Sequence, residues 1–279
     1  MRAVVVTSSG GPEMLELRDE PAPEAGPGQV LVDVEAAGVN FRDIYEREGA
    51  YDREPPFVAG VEGAGTVTAV GEGVTELSVG DRVAWTAGPG SYAEQVAVDA
   101  ERSVPVPAGV AGDVAAAGLL QGITAQYLAT STYRVQPGDA VLVHAAAGGV
   151  GLLLTQVVKM RGGRVLATTS SEEKAQLARD AGADEVIGYD GFAERVRELT
   201  GGEGVAVVFD GVGQATFDES LASLRTRGSM VLYGSSSGRV PPFDPMRLEN
   251  SGSLFLTRPT LRHYTASREE LLARATKVL

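Results

Sequence analysis

One short stretch limits the folds open to this chain more than any other. Residues Ala140–Ala145 read as an apolar strand of the buried type, and Ala146-Ala147-Gly148-Gly149-Val150-Gly151 follows directly. Val150–Met160 then reads as an apolar helix. Strand, tight glycine turn and helix in immediate succession form the setting of a phosphate-cradling loop. Glycines let the backbone approach a pyrophosphate, and the helix N-terminus offers free N–H groups with partial positive charge. Gly151 would let the helix pack closely on the strand. Against the pattern G-x-G-x-x-G the first glycine is Ala146, so the loop by itself also fits an ordinary tight βα turn.

The flanking pattern narrows the choice. Strands are expected at Arg164–Thr169, Glu185–Gly188, Val205–Asp210 and Ser229–Tyr233, and helices at Glu172–Asp180, Phe192–Leu199 and Phe217–Leu224. This βαβα order predicts a doubly wound parallel sheet with helices on both faces, with Leu254–Thr257 as an edge strand. Earlier in the chain, short Val- and Ala-rich runs at Arg2–Thr7, Gln29–Ala37, Gly65–Val70, Asp81–Ala84 and Tyr92–Val98 are punctuated by Gly and Pro. They predict a small barrel or sandwich, with one short helix over Phe41–Arg47. A helix over Val114–Thr130 marks the change of pattern. The expected domains are residues 1–120, 121–260 and a final segment 261–279. In that segment Ser267 and Glu270 form a capping box opening a helix over Ser267–Leu279.

The residues past the second strand bear on the nucleotide. A fold that takes NAD usually places Asp or Glu about 20 residues past the loop, on the ribose 2′-hydroxyl. Here that point is Thr168-Thr169-Ser170-Ser171, with Lys174 in the first helical turn. Hydroxyls and a cation suit a 2′-phosphate, which favours NADPH; Lys174 also fits a plain surface lysine. Glu173 is expected to turn back to the backbone in a capping box with Ser170, and Glu172 to face solvent. Tyr189 ends the third strand, placed to cover the adenine, to reach the phosphate or simply to pack. Gly211, Gly213, Gly234 and Ser235 lie at the C-terminal strand ends where open sheets bind ligands, and they equally fit plain turn residues.

Composition excludes several classes. Lys and Arg number 24 against 37 Asp and Glu, a net charge of −13. Such a chain repels nucleic-acid phosphates and anionic membranes, and no basic run offsets this. No apolar run approaches the roughly 20 residues that span a bilayer. A cytoplasmic protein is expected. There is no cysteine, so disulfides, thiolate catalysis and Cys-type zinc sites are excluded, and the only histidines are His144 and His263. A catalytic zinc needs about three protein ligands, and no His/Asp/Glu cluster has suitable spacing. His144 is expected in the core, and no metal site is expected.

The glycine loop Ala145–Gly151 resembles that of the quinone oxidoreductase group of the zinc-free medium-chain dehydrogenase/reductase family. So do Gly38-Val39-Asn40-Phe41-Arg42-Asp43, Gly60-Val61-Glu62-Gly63-Ala64-Gly65 leading to Val70-Gly71, and Gly122-Ile123-Thr124-Ala125. The likeness covers essentially the whole chain. It implies an α/β protein: a GroES-like β-rich substrate domain joined to a Rossmann domain, with the active site between them. It implies NADPH as hydride donor and a quinone or other conjugated carbonyl as acceptor.

By position, the resemblance puts Asn40 and Thr124 beside the nicotinamide, and Val212, Tyr233 and Ser235 along that end. It puts Gly148, Gly149, Val150 and Gly151 on the pyrophosphate, and Ser170, Ser171, Lys174 and Tyr189 around the adenosine phosphate. Tyr45 and Tyr51 would border the substrate pocket, with Asp43 nearby. A homodimer through the edge strand Ser253–Thr257 is also implied. Members of the group run longer, and their C-terminal segment returns to complete the substrate domain. A fragment, or a shortened substrate domain, is therefore expected here.

Without a metal, catalysis is placement and exclusion of water. Asn40, the Thr124 hydroxyl or a cofactor ribose hydroxyl can donate to a developing enolate. Tyr45, Tyr51 or solvent can supply the proton. Asn40 and Asp43 also fit a helix N-cap and a first-turn acid. Two other functions stay open: an enoyl or 2-alkenal reductase of the same fold, and a non-catalytic NADPH-binding protein.

Overall fold

A computed structural model describes residues 1–51 and 53–279. The chain divides into two compact units, Met1–Leu120 with Thr265–Leu279, and Gln121–Tyr264.

The first unit opens with β1 (Arg2–Val6), β2 (Leu15–Asp19), β3 (Gln29–Gly38), α1 (Phe41–Arg47) and β4 (Phe57–Val58). It continues with β5 (Glu62–Val70), β6 (Arg82–Trp85), β7 (Gln95–Asp99) and β8 (Ser103–Pro105). The strands form two antiparallel sheets, in the orders β2-β1-β4 and β7-β3-β5-β6-β8. In β3, Val30 and Val32 alternate inward and meet Val67, Val83, Trp85, Val96 and Val98 in one core, as a period of two requires. The Trp85 indole N–H is satisfied inside it by Ser91 Oγ at 2.8 Å.

Three strands of this unit, β2, β4 and β8, were not expected, and β5 begins at Glu62, three residues before the expected Gly65. The glycines there suggest a loop in sequence. In the fold they mark close approach: a Cβ on Gly63 would lie 2.6 Å from the Trp85 ring, and one on Gly65 would strike the Asp33 carbonyl.

Helix α2 (Gly112–Tyr127) carries the chain across the division at residue 120, then widens into a π turn over Leu128–Thr132. The expected helix end at Thr130 falls inside that turn. The second unit runs β9 (Ala140–Val143), α3 (Gly149–Met160), β10 (Arg164–Thr168), α4 (Glu172–Asp180), β11 (Glu185–Ile187) and α5 (Phe192–Leu199). It ends with β12 (Val205–Asp210), α6 (Phe217–Ser223), β13 (Leu224–Leu232), α7 (Met246–Asn250) and β14 (Phe255–Thr257). All six strands are parallel, in the order β11-β10-β9-β12-β13-β14.

The strand order reverses direction between β9 and β12, the switch point where doubly wound sheets bind ligands. Every residue of β12 is buried, as expected of a strand covered on both faces. β13 starts at Leu224, five residues before the expected Ser229, and its pairing with β12 slips between Val205 and Val207. The chain then returns to the first unit, where α8 (Arg268–Ala275) is fastened by Arg268 donating to Ala100 O at 2.6 Å. Helix α8 is shorter than the expected Ser267–Leu279. Ser267 Oγ accepts the Glu270 N–H at 3.1 Å, while the Glu270 carboxylate returns to Ala266 N. Among the described residues no helix is long and apolar enough to cross a membrane.

Candidate functional site

The glycine loop sits where β9 gives way to α3. Gly148 is the N-cap of α3 and brings no side chain to it, so no side chain caps the helix among the described residues. Its own N–H closes the turn on Ala145 O at 2.8 Å. A Cβ on Gly149 would run into the Gln121 side chain. One on Gly151 would strike the Ala145 carbonyl and lie 2.7 Å from Ala146 Cα. The loop is therefore bare backbone pressed against the strand end, a shape that fits a pyrophosphate. Ala145 holds φ at +48°, a left-handed conformation rare outside glycine. Its N–H donates to the Tyr189 hydroxyl at 3.0 Å. Tyr189 thus lies two residues past β11, not at its end, and braces the loop.

At the end of β10 the expected hydroxyl row splits. Thr168 is fully buried and Thr169 nearly so, while Ser170, Ser171 and Lys174 are exposed. Lys174 Nζ donates to Ser170 Oγ at 3.1 Å, so two of the expected phosphate ligands stand together. The expected capping box of Ser170 with Glu173 does not form. Helix α4 starts at Glu172, which makes Ser171 the N-cap, accepting the Lys174 N–H at 3.3 Å. Glu172 pairs with Arg179 at 2.6 Å.

The C-terminal ends of β12 and β13 gather Val212, Tyr233 and Ser235. A Cβ on Gly211 would lie 2.9 Å from the Tyr233 hydroxyl, and one on Gly213 2.9 Å from Ser235 Cα. The turn is held by Asp210, fully buried, whose Oδ1 accepts the N–H groups of Val212 at 2.7 Å and Gly213 at 2.9 Å. Thr124 lies buried on α2 in the same unit.

Behind these loops runs a buried polar chain that the sequence did not reveal. His144, with no exposed surface, reaches Thr168 Oγ1 from Nδ1 and Ser220 Oγ from Nε2, each at 2.8 Å. Ser220 in turn donates to Asp210 Oδ2 at 3.3 Å, where Thr216 also donates at 2.7 Å. Because the Ser220 proton goes to Asp210, Nε2 carries the imidazole proton and Nδ1 accepts from Thr168. Burial drives the His144 pKa down to about 4, against the opposing pull of Asp210 and Glu219. The neutral ring ties the ends of β9, β10 and β12 to α6.

The first unit holds a second polar cluster. Asn40 is the N-cap of α1, and its backbone N–H donates to Asp43 Oδ2 at 2.9 Å. Tyr92 donates to the same oxygen at 2.7 Å. Asp43 therefore serves as the first-turn acid, and burial raises its pKa. The Tyr92 pKa is also raised, by burial first and then by its bond to Asp43. The Asn40 side chain completes a capping box by meeting the Asp43 N–H, and from Nδ2 it donates to Glu62 Oε2 at 2.7 Å. Glu62 is fully buried, and its Oε1 accepts the Leu120 N–H at 2.6 Å. Burial pushes its pKa up to about 7. Tyr45 and Tyr51 lie with ring centroids 5.9 Å apart, Tyr51 half exposed, and Phe41 is 5.2 Å from Tyr45. Glu62 and Tyr92 were not anticipated as site residues. Their only sequence signal was an acid within a glycine run and a tyrosine opening an expected strand.

Two family models match the chain: an alcohol dehydrogenase GroES-like domain over residues 26–108, and a zinc-binding dehydrogenase domain over residues 149–277. A quinone oxidoreductase of Pseudomonas aeruginosa is 46% identical over 270 residues, covering 95% of this chain and 83% of that protein. A solved mycobacterial protein in complex with NADPH superposes with a TM-score of 0.97 at 53% identity, over 99% of this chain and 87% of that one. The chain belongs to the zinc-free quinone oxidoreductase group of the medium-chain dehydrogenase/reductase family. A 2-haloacrylate reductase of Burkholderia is also similar, at 44% identity over 96% of this chain and 84% of that protein. The medium-chain family includes zinc enzymes, as the second domain's description records. This chain has no cysteine, and its His144 spends both ring nitrogens on hydroxyls.

Proposed function

We propose that this protein reduces quinones by hydride transfer from NADPH without a metal. One observation carries the reading: an uncapped, glycine-led helix N-terminus accompanied by Ser170, Ser171 and Lys174 at the end of the neighbouring strand. In this reading Gly148, Gly149, Val150 and Gly151 hold the pyrophosphate, with Tyr189 bracing their loop. Ser170, Ser171 and Lys174 take the 2′-phosphate. Thr124, Val212, Tyr233 and Ser235 line the nicotinamide end. When bound, NADPH supplies the hydride. Asn40 donates a hydrogen bond to the oxygen of the acceptor as negative charge develops there. Asp43 keeps Asn40 at the head of α1. Tyr45 and Tyr51 offer aromatic faces to a flat ring, and a tyrosine hydroxyl or water delivers the proton.

A second reading, reduction of conjugated double bonds, is favoured by the similarity to the 2-haloacrylate reductase. Turnover with 1,4-benzoquinone, a 2-alkenal and 2-chloroacrylate, side by side, separates the two. Turnover of the alkenal or the acrylate alone would defeat the quinone reading. NADPH binding without turnover of any of them would support a non-catalytic role. Lys174→Ala should weaken NADPH binding and leave NADH binding nearly unchanged. An equal loss for both would refute the phosphate site.

Among the described residues the outer strand β14 pairs only with β13 and exposes Phe255, which suits pairing with a second copy into a homodimer. Sedimentation of the wild type and of a proline variant at Leu256 would test this. A cytoplasmic location, with no nucleic-acid or membrane partner, fits the acidic charge.

A further inference from the structure

We infer that Glu62 is a positioning residue, whose buried carboxylate holds the Nδ2 end of Asn40 and so sets the direction of the donor that Asn40 offers the acceptor. The inference rests on the reading of Asn40 given above. An asparagine amide is nearly symmetric in shape, so its partners decide which end points where. An ionised carboxylate only accepts. Both Glu62 oxygens already face donors, Asn40 Nδ2 at 2.7 Å and the Leu120 N–H at 2.6 Å. The backbone donor cannot turn, so the other oxygen is left to Asn40. Gly38 closes the space from β3, since a Cβ there would lie 2.6 Å from Glu62 Cδ.

Among the described residues no Lys or Arg forms an ion pair with Glu62. The charged and titratable groups acting on it are Asp43 of α1 and Tyr92 of the segment before β7. From α2 it meets the Leu120 N–H and from β3 the backbone at Gly38. Burial and Asp43 favour the protonated acid, while the two donors favour the anion. A proton on either oxygen removes the negative charge and weakens that oxygen as an acceptor for the donor it faces. The clamp is therefore complete above about pH 7 and loosens as pH falls through that value.

Glu62→Gln tests this with little change of shape. The Leu120 N–H would take the single carbonyl oxygen, and the new NH2 would face Asn40 Nδ2 donor to donor, so that the Asn40 amide must either move away or flip and lose the Asp43 N–H of its capping box. With NADPH and 1,4-benzoquinone, kcat should fall about 100-fold, the scale of losing one oxyanion donor. NADPH affinity should stay within about twofold, because Glu62 acts through Asn40. In an Asn40→Ala background the same change should cost nothing further. A normal kcat for Asn40→Ala would sink the reading of Asn40 itself. A loss for Asn40→Ala with none for Glu62→Gln, or additive losses, would overturn the role of Glu62 alone. A readout free of turnover is the Asn40 side-chain amide signal in 15N NMR, assigned by its absence in Asn40→Ala. It should shift with a midpoint near pH 7 in the wild type. An amide signal that stays put while the Glu62 carboxyl 13C signal titrates would overturn the inference whether or not the variant folds.

Discussion

Replacing His144 by leucine should abolish an acid weakness built into the nucleotide-binding unit. The folded protein holds this ring neutral with a pKa near 4, against 6.5 in the unfolded chain. Unfolding therefore takes up a proton between about pH 6.5 and pH 4. The stability linked to the neutral ring is fully present above that value and is lost as pH falls toward the folded value. Between about pH 7.5 and pH 4.5 the loss is roughly 2–3 kcal/mol, at 1.36 kcal/mol per unit less the fraction already titrated.

Leucine removes that slope but orphans the Thr168 hydroxyl and one bond of Ser220. A buried unpaired group costs about 1–3 kcal/mol. The variant should thus be the weaker protein at neutral pH, and the gap to the wild type should nearly close at about pH 4.5. Urea unfolding at both pH values, followed by circular dichroism with linear extrapolation, measures the gap. Parallel wild-type and variant losses on acidification would refute the reasoning, because they would place the acid sensitivity elsewhere.

Other outcomes follow from contacts already described. Gly151→Ala should be more damaging than Gly149→Ala, since its Cβ meets fixed backbone while that of Gly149 meets a glutamine side chain that can swing away. Thermal melts and NADPH titration of the two variants would show the order. Tyr189→Phe should weaken NADPH binding several-fold without unfolding the protein, because it removes only the bond that steadies Ala145; calorimetric titration would detect it. Trp85→Phe should cost about 1–3 kcal/mol through the orphaned Ser91 and the space left behind, read by urea unfolding.

The second unit was far more legible in the sequence than the first. Helices α4 and α5 and strand β12 have the expected limits, because parallel strands buried on both faces read as continuous apolar runs between polar, periodic helices. β2 was missed because Leu15–Asp19 is mostly charged or exposed, an edge strand whose pairing with β1 outweighs its own propensity. The first half of β13 was hidden by Arg225, Thr226 and Arg227, with Arg227 at φ +60°. At the site, local motifs were readable and long-range pairings were not. Ser170, Lys174 and the glycines announce themselves by spacing. His144 owes its role to partners 24 and 76 residues away, and Glu62 to an amide 58 residues on. No local pattern encodes such meetings, because packing alone brings these groups together.

Ala145 carries one more consequence. A glycine there would relax the left-handed backbone but would free many more conformations in the unfolded chain. With alanine, and with the loop tied to Tyr189, the ordering entropy is spent during folding and not during ligand capture. Association should then resemble docking onto a rigid template: fast, with little change in loop mobility between the free and occupied states.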